Sequence, residues 1–380
     1  MRICILYDCL FPYTIGGAER WYANVASRLV AAGHEVTYLT MRQWPAGQPG
    51  ELPGARVVAV GPRMANYGPG GGRTMAPPLL FGLGVFAHLL VHGRRYDVVH
   101  TASFPYFSLL AAAVARPLAG YRIIVDWHEF WSRDYWNGYL GALGWVGWTV
   151  QRLCLAAPQR AFCFARKTAV RLQAHRVNGP VEVLTGEYGG DLSPRTPGPA
   201  DPLVVFAGRH IPEKRARLAV EAIALARRRI PDLRGVIFGR GPDSAAIDAQ
   251  IASQGLGGFV EAPGFVEEAA LDEAMSRALC LLHPSSREGY GMVVVEAAAV
   301  GTPTILVDGE DNAATELVEP GINGFIVAQP DAALLADAIV EAHRLGQGLR
   351  VSTADWFARN AERLSIGCSL ARVEDSYTAL

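Results

Sequence analysis

Lysine is almost missing from this 380-residue chain: Lys167 and Lys214 stand beside 33 arginines. No charge of one sign dominates, since 35 basic and 36 acidic side chains leave a net charge of −1. That balance excludes a protein that coats nucleic acid through bulk charge. Cys4, Cys9, Cys154, Cys163, Cys280 and Cys368 form no C-x-x-C pair. They read as buried thiols of a reducing compartment, not as a disulfide frame or a metal centre. No D-x-D triplet occurs, and no metal site is expected. No stretch of 18 apolar residues runs uninterrupted, so a spanning helix is not expected. The first residues, MRICILYD, read as a strand without a signal peptide. A cytoplasmic location is the expectation, and no repeat array is visible.

What is present is ample core material: 50% hydrophobic and 19% charged residues. The length suggests two domains. Charge is unevenly divided. Residues 1–195 hold 19 Lys+Arg and 11 Asp+Glu (+8), and residues 196–380 hold the remaining 16 and 25 (−9). Short apolar runs alternate with helical patterns throughout. Strands are expected at 3–7, 35–40, 57–60, 97–100, 122–126, 161–164 and 181–184, with a helix at 17–32 stopped by Gly33. The stretch 193–202 has four prolines and can be neither helix nor central strand. The boundary is placed there, giving domains 1–195 and 196–365, with a last helix at 366–380 joining the first. Beyond it the alternation resumes, with strands at 203–207, 235–238, 259–261, 279–282, 304–307 and 324–327 and helices at 215–229 and 291–300. The fold class is therefore α/β, with two Rossmann-like domains of parallel strands. Ligands of such sheets bind at the carboxyl ends of the strands, and a cleft between two facing domains is the natural site.

Four stretches carry chemistry. Residues 283–303, HPSSREGYGMVVVEAAAVGTP, run from a strand end through a polar loop into a helix near Gly291. Amides at such a helix start suit a phosphate or sugar oxygen. Glu296 sits among apolar neighbours, where a carboxylate is costly unless it meets hydroxyl donors such as a ribose diol. Residues 206–223, FAGRHIPEKRARLAVEAI, place Arg209 and Lys214 beyond one strand, a fit clamp for a diphosphate. Residues 7–20 place Gly16-Gly17 between a strand and a helix, where a ligand can approach backbone amides. Residues 125–131, VDWHEFW, place Asp126, His128 and Glu129 at a strand end, framed by Trp127 and Trp131, an arrangement suited to a sugar ring. Phe238–Pro242 and Asn312–Leu317 are lesser candidates to line the site.

On these motifs the chain resembles the retaining glycosyltransferases of the GT-B fold in glycosyltransferase family 4, from the Gly-Gly-Ala-Glu loop at 16–19 to Glu288-x7-Glu296. The resemblance implies a nucleoside-diphosphate-sugar donor, no further cofactor and no metal. It implies that Arg209 and Lys214 hold the diphosphate, Glu288 faces the sugar and Glu296 binds the ribose. Amides of Gly289, Tyr290, Gly291, Met292 and Val293 would contact sugar and phosphate. Gly208 and Gly239 would line the donor, and Gly16 and Gly17 would approach its phosphate from the other domain. His128 resembles the family's histidine near the anomeric centre. There are departures. Arg215 stands where glycine is usual, Arg240 replaces a common acidic residue, and residues 312–315 replace a Gly-Gly-containing loop.

Breaking a sugar–diphosphate bond builds negative charge on the leaving phosphate, which Arg209, Lys214 and the helix amides would stabilise. A glycosidase pair at Glu288 and Glu296 is rejected, because the cations would then have no purpose. Sugar-nucleotide epimerases and phosphorylases of similar fold remain the rival class, and binding without turnover a third. The acceptor is a small molecule or a lipid-linked glycan and belongs with the first domain. There, Gly68-Pro-Gly-Gly-Gly72 reads as a mobile loop. Residues 136–151, uncharged and with three tryptophans, read either as a buried helix or as an acceptor or membrane-contacting surface at the inner membrane face.

Overall fold

The computed structural model describes residues 1–14, 16–45, 47–65 and 74–378. The glycine-rich segment 68–72 lies outside them. Two compact units emerge, one from the described residues of Met1–Thr185 and Gly367–Leu380, the other from Gly186–Ile366.

The first unit contains β1 (Arg2–Leu6), α1 (Gly17–Ala31), β2 (Glu35–Met41), β3 (Arg56–Gly61), α2 (Ala76–His92), β4 (Val98–Ala102), α3 (Phe107–Ala119), β5 (Arg122–Trp127), α4 (Arg133–Leu140), α5 (Gly144–Ala156), β6 (Arg160–Cys163), α6 (Arg166–Ala174) and β7 (Val181–Val183). Its seven strands are parallel in the order β3-β2-β1-β4-β5-β6-β7. The central strands β1, β4 and β5 are buried along almost their whole length and mostly apolar, as parallel strands covered on both faces are. In α1, Trp21, Val25 and Leu29 recur at four-residue spacing and are buried, and Gly33 turns the chain at φ 80°. The apolar run 136–151 is not one helix. It is broken at Gly141 between α4 and α5, with Trp136 buried and Leu143 and Trp145 exposed.

The second unit contains β8 (Leu203–Ala207), α7 (Ala216–Ala226), β9 (Arg234–Phe238), α8 (Ser244–Ser253), β10 (Val260–Gly264), α9 (Glu268–Arg277), β11 (Cys280–His283), α10 (Met292–Ala299), β12 (Thr304–Val307), β13 (Gly324–Val327) and α11 (Ala332–Leu364), which breaks at Gly346. Six parallel strands follow the order β10-β9-β8-β11-β12-β13. In both sheets the order reverses beside the first strand, which is the doubly wound arrangement. Arg350 is buried and donates to the carbonyls of Ser276 and Gly198 at 2.5 and 3.0 Å, holding α11 against the proline-rich stretch.

The first break falls at Thr185/Gly186, ahead of the prolines where the sequence suggested it. The amide of Tyr188 donates to Leu364 and that of Ile366 to Tyr188, so this segment belongs with α11. The last helix, α12 (Ile366–Thr378), lies almost wholly in the first unit. There the Tyr377 hydroxyl meets His100 Nδ1 at 2.5 Å and Arg28 pairs with Glu374.

Candidate functional site

In the second unit the switch point lies between β8 and β11, and both strands end in the residues singled out from sequence. β8 stops at Ala207, and Gly208 and Arg209 follow. Gly208 donates to Phe238 O, and Gly239 approaches so closely that a Cβ there would lie 1.9 Å from Gly208 O. Gly239 also takes φ 120°, so glycine is required on both counts. Arg209 is exposed, and its guanidinium has no partner among the described residues. Lys214 does not open a helix as expected. It closes a 3-10 turn, Pro212–Lys214, and α7 begins only at Ala216. Between them Arg215 takes the left-handed conformation, φ 51°, ψ 40°.

Lys214 Nζ is bonded to Glu288 Oε1. The same oxygen accepts from His283 Nε2 at 2.5 Å, and Ser285 Oγ lies 3.2 Å from that nitrogen. Lys214 and Glu288 keep only 18% and 11% of their side-chain exposure. Burial alone would push the Glu288 carboxyl up, but Lys214 and His283 outweigh it and hold it well below the usual carboxylate range. Its backbone is fixed as well: Glu288 N donates to Asp311 O at 3.0 Å, and Ala313 N donates to Glu288 O at 2.9 Å. Asn312, wholly buried, completes the bridge by donating to the carbonyls of Ser285 and Val307 and capping the short helix Ala313–Leu317.

The loop then reaches α10 through Gly289, Tyr290 and Gly291. Gly291 has φ 107°, and a Cβ there would lie 2.6 Å from the Ala314 side chain. No side chain caps α10; Val294 N donates to Gly291 O at 2.9 Å, and the amides of Met292 and Val293 ahead of it have no intrahelical acceptor. Tyr290 is buried, which pushes its hydroxyl pKa up. Glu296 lies half-buried on α10 between buried Val295 and Ala297, and its charge is felt by Tyr188. One unit thus brings together Gly208, Arg209, Lys214, Gly239, Glu288 and the start of α10.

The remaining sequence candidates lie in the first unit. Gly16 precedes α1 with an extended backbone, and Gly17 is the helix's first residue. His128 follows β5 and stacks on Phe164, with ring centroids 4.7 Å apart. Its Nε2 is buried without a partner among the described residues, and burial lowers its pKa. Asp126 and Trp127 do not frame a sugar site. Both are fully buried: Asp126 accepts from Trp21 Nε1 at 2.7 Å and pairs with His100, and Trp127 donates to Gln159. Trp131 donates to Glu129 at 2.6 Å and packs on Trp136.

His283 and Asn312 are the site residues that sequence reasoning passed over or ranked low. The signal for His283 was its place as last residue of a strand, five residues before Glu288. Nothing in residue spacing marks Asn312 as a buried hub.

Residues 195–356 match the family described as glycosyl transferases group 1, and residues 15–186 match glycosyltransferase family 4. The chain is 26% identical to a GDP-mannose-dependent alpha-mannosyltransferase of Mycolicibacterium smegmatis, over 93% of this chain and 92% of that one. It is 30% identical to the alpha-D-kanosaminyltransferase of Streptomyces kanamyceticus over 138 residues, 36% of this chain and 35% of that relative's length. The solved structure of Anabaena HepE with UDP and glucose shares the fold, with a TM-score of 0.73 at 17% identity over 100% of both chains. With one family match on each of its two doubly wound units, the chain belongs to the GT-B glycosyltransferases of family 4 type.

Proposed function

We propose that the chain moves a sugar from a nucleoside-diphosphate sugar to an acceptor hydroxyl, with retention at the anomeric carbon. The observation that carries this reading is the Lys214–Glu288–His283 cluster at the switch point of the six-stranded sheet, beside exposed Arg209 and the uncapped start of α10. Cations and free amides at one strand end suit a diphosphate, and an ionised carboxylate fixed among them suits sugar hydroxyls. Arg209 and Lys214 hold the diphosphate, Glu288 orients the sugar and Glu296 takes the ribose. As the glycosidic bond breaks, the electron pair passes to the phosphate oxygen. The two cations and the α10 amides stabilise that charge without reorganising. They do what a divalent cation does elsewhere, so the reaction needs none. His128, neutral and with a free Nε2, is the first unit's group for the anomeric centre. The acceptor is a small molecule or a lipid-linked glycan met in the cytoplasm.

Two relatives support the donor class. One is named as GDP-mannose-dependent, and HepE was solved with UDP and glucose. A panel of sugar nucleotides read by thermal shift, then by release of nucleoside diphosphate with candidate acceptors, tests the reading. Nucleotide release that needs no acceptor would instead assign an epimerase or hydrolase, and phosphate-dependent turnover a phosphorylase.

A further inference from the structure

α2 is apolar on both sides. Phe81, Val85 and Leu89 lie in the core of the first unit. On the opposite side Leu79, Leu80, Leu83, Leu90 and Val91 face solvent, with 65% of Leu83 and 75% of Val91 exposed. Their three- and four-residue spacing, with exposed Ala87 between them, lines them along one side of the helix. A helix at a protein's surface ordinarily sets a polar face against water. The one ionisable side chain within α2's length before its end, His88, is half-buried and bonded to Tyr96 at 2.8 Å.

Cations border this face. Arg94 and Arg95 follow α2 in a short 3-10 turn, Gly93–Arg95, and are exposed. Arg94 Nε donates to Leu118 O at the end of α3, which itself exposes Leu118. Between residues 52 and 125 the sequence holds seven arginines and one acid, Asp97, which is paired with Arg2. No carboxylate on this stretch is left to neutralise the arginines beside the apolar face.

We infer that this face of α2 lies on an anionic lipid surface, with Leu83, Leu90 and Val91 at the acyl boundary and Arg94 and Arg95 among the phosphates. By length and composition the segment Ala76–Arg95 could cross a bilayer. Its inner side is built into the core, however, so it lies on the membrane and does not span it. A second copy of the chain would also cover apolar side chains, but it would bring the same arginine excess to the contact. The one-sided charge therefore favours a polyanionic surface.

Flotation of the full chain with vesicles tests this independently of any donor or turnover. Phosphatidylglycerol-containing vesicles are expected to carry the protein at low salt. Pure phosphatidylcholine vesicles are not, and raising the salt is expected to release it. Leu83→Glu with Val91→Glu, and separately Arg94→Glu with Arg95→Glu, should each reduce the bound fraction at least tenfold; the melting temperature should hold in the first pair and fall only slightly in the second, which loses the exposed bond from Arg94 to Leu118 O. The arginine pair is fully outside the core, so it keeps the test valid if the first variant folds poorly. Absence of flotation on anionic vesicles at low salt would overturn the inference. So would undiminished flotation of both variants, which would move the contact to another surface such as that of Leu143 and Trp145. Self-association abolished by the leucine–valine variant, without lipid binding, would assign the face to a second copy and overturn it equally.

Discussion

His283 Nε2 donates to Glu288 Oε1 over 2.5 Å, joining the end of β11 to the loop that leads into α10. The same carboxylate oxygen holds Lys214, which comes from the loop after β8. The two central strands of the second sheet are thus tied together by one carboxylate at the switch point. In the proposed mechanism the site is therefore built before a donor arrives, and the charge that meets the donor does not have to be assembled during the reaction.

Loss of either cation should slow turnover more than it unsettles the fold. Arg209→Ala removes an exposed guanidinium with no partner among the described residues, so its melting temperature should not move. Lys214→Ala leaves Glu288 with His283 alone and should destabilise by about 1–3 kcal/mol, the cost of depriving a buried polar group of a partner. Both should lower kcat at least ~100-fold, because one preorganised contact to developing charge is commonly worth about 3–4 kcal/mol. Near-normal rates at saturating donor in either variant would remove the phosphate-clamp assignment.

The two glutamates should separate kinetically. Glu296→Ala is expected to raise the KM for donor with kcat little changed, since a ribose contact is made equally in ground and transition states. Glu288→Ala should lower kcat, because the contact it loses is to the reacting sugar. Measurement of both constants for both variants decides, and a reversed pattern exchanges the roles.

Acid should expose the Glu288 cluster. Its carboxyl is held below the ordinary value of 4.5 in the folded chain, because Lys214 and His283 outweigh the opposing effect of burial. A depressed folded pKa means that the unfolded chain takes up the proton first. The stabilisation is complete above about pH 4.5 and is lost as pH falls through the folded value. Melting temperatures measured from pH 7 down to 3 should therefore fall more steeply below about pH 4.5 in the parent protein than in Glu288→Gln. Parallel curves would show that Glu288 is not held as an ionised group.

Much of this was legible in advance for a simple reason. Buried parallel strands are continuous apolar runs, and the turns that follow them are polar and glycine-bearing. β8, β12 and β13 fall at their expected residues, and Glu288 and Lys214 could be named because each follows such a run. What could not be read depends on contacts between distant segments. Asp126 looks like a site residue until Trp21 and His100 enclose it. Nothing in the sequence marks Arg350 as a buried side chain that donates to the carbonyls of Ser276 and Gly198. The break at Gly141 is hidden in an apolar run that reads equally well as one helix.

Activity should be indifferent to chelators. In the proposed mechanism Arg209, Lys214 and the first-turn amides of α10 meet the charge of the leaving diphosphate, so no step calls for a divalent cation. Turnover in excess EDTA is expected to equal that in magnesium. A loss that magnesium or manganese restores would show that a cation shares the phosphate with Lys214.

Arg215 offers a test of stability apart from chemistry. Its left-handed backbone, φ 51° and ψ 40°, joins the 3-10 turn of Lys214 to α7. For a residue with a side chain that conformation costs roughly 1–2 kcal/mol, because the Cβ crowds the following carbonyl. The guanidinium recovers little: its contact to Pro284 O is long, at 3.5 Å, and partial burial lowers its pKa. Glycine removes the Cβ and adopts the same angles freely, at the expense of a more disordered unfolded chain. The first effect should prevail. Arg215→Gly is expected to stabilise the second unit by about 1 kcal/mol, within the range of that backbone strain. For a domain of this size that raises the melting temperature by about 2–4 °C. An unchanged or lower melting temperature would mean that the Arg215 side chain holds the loop of Pro284 more firmly than its distance suggests.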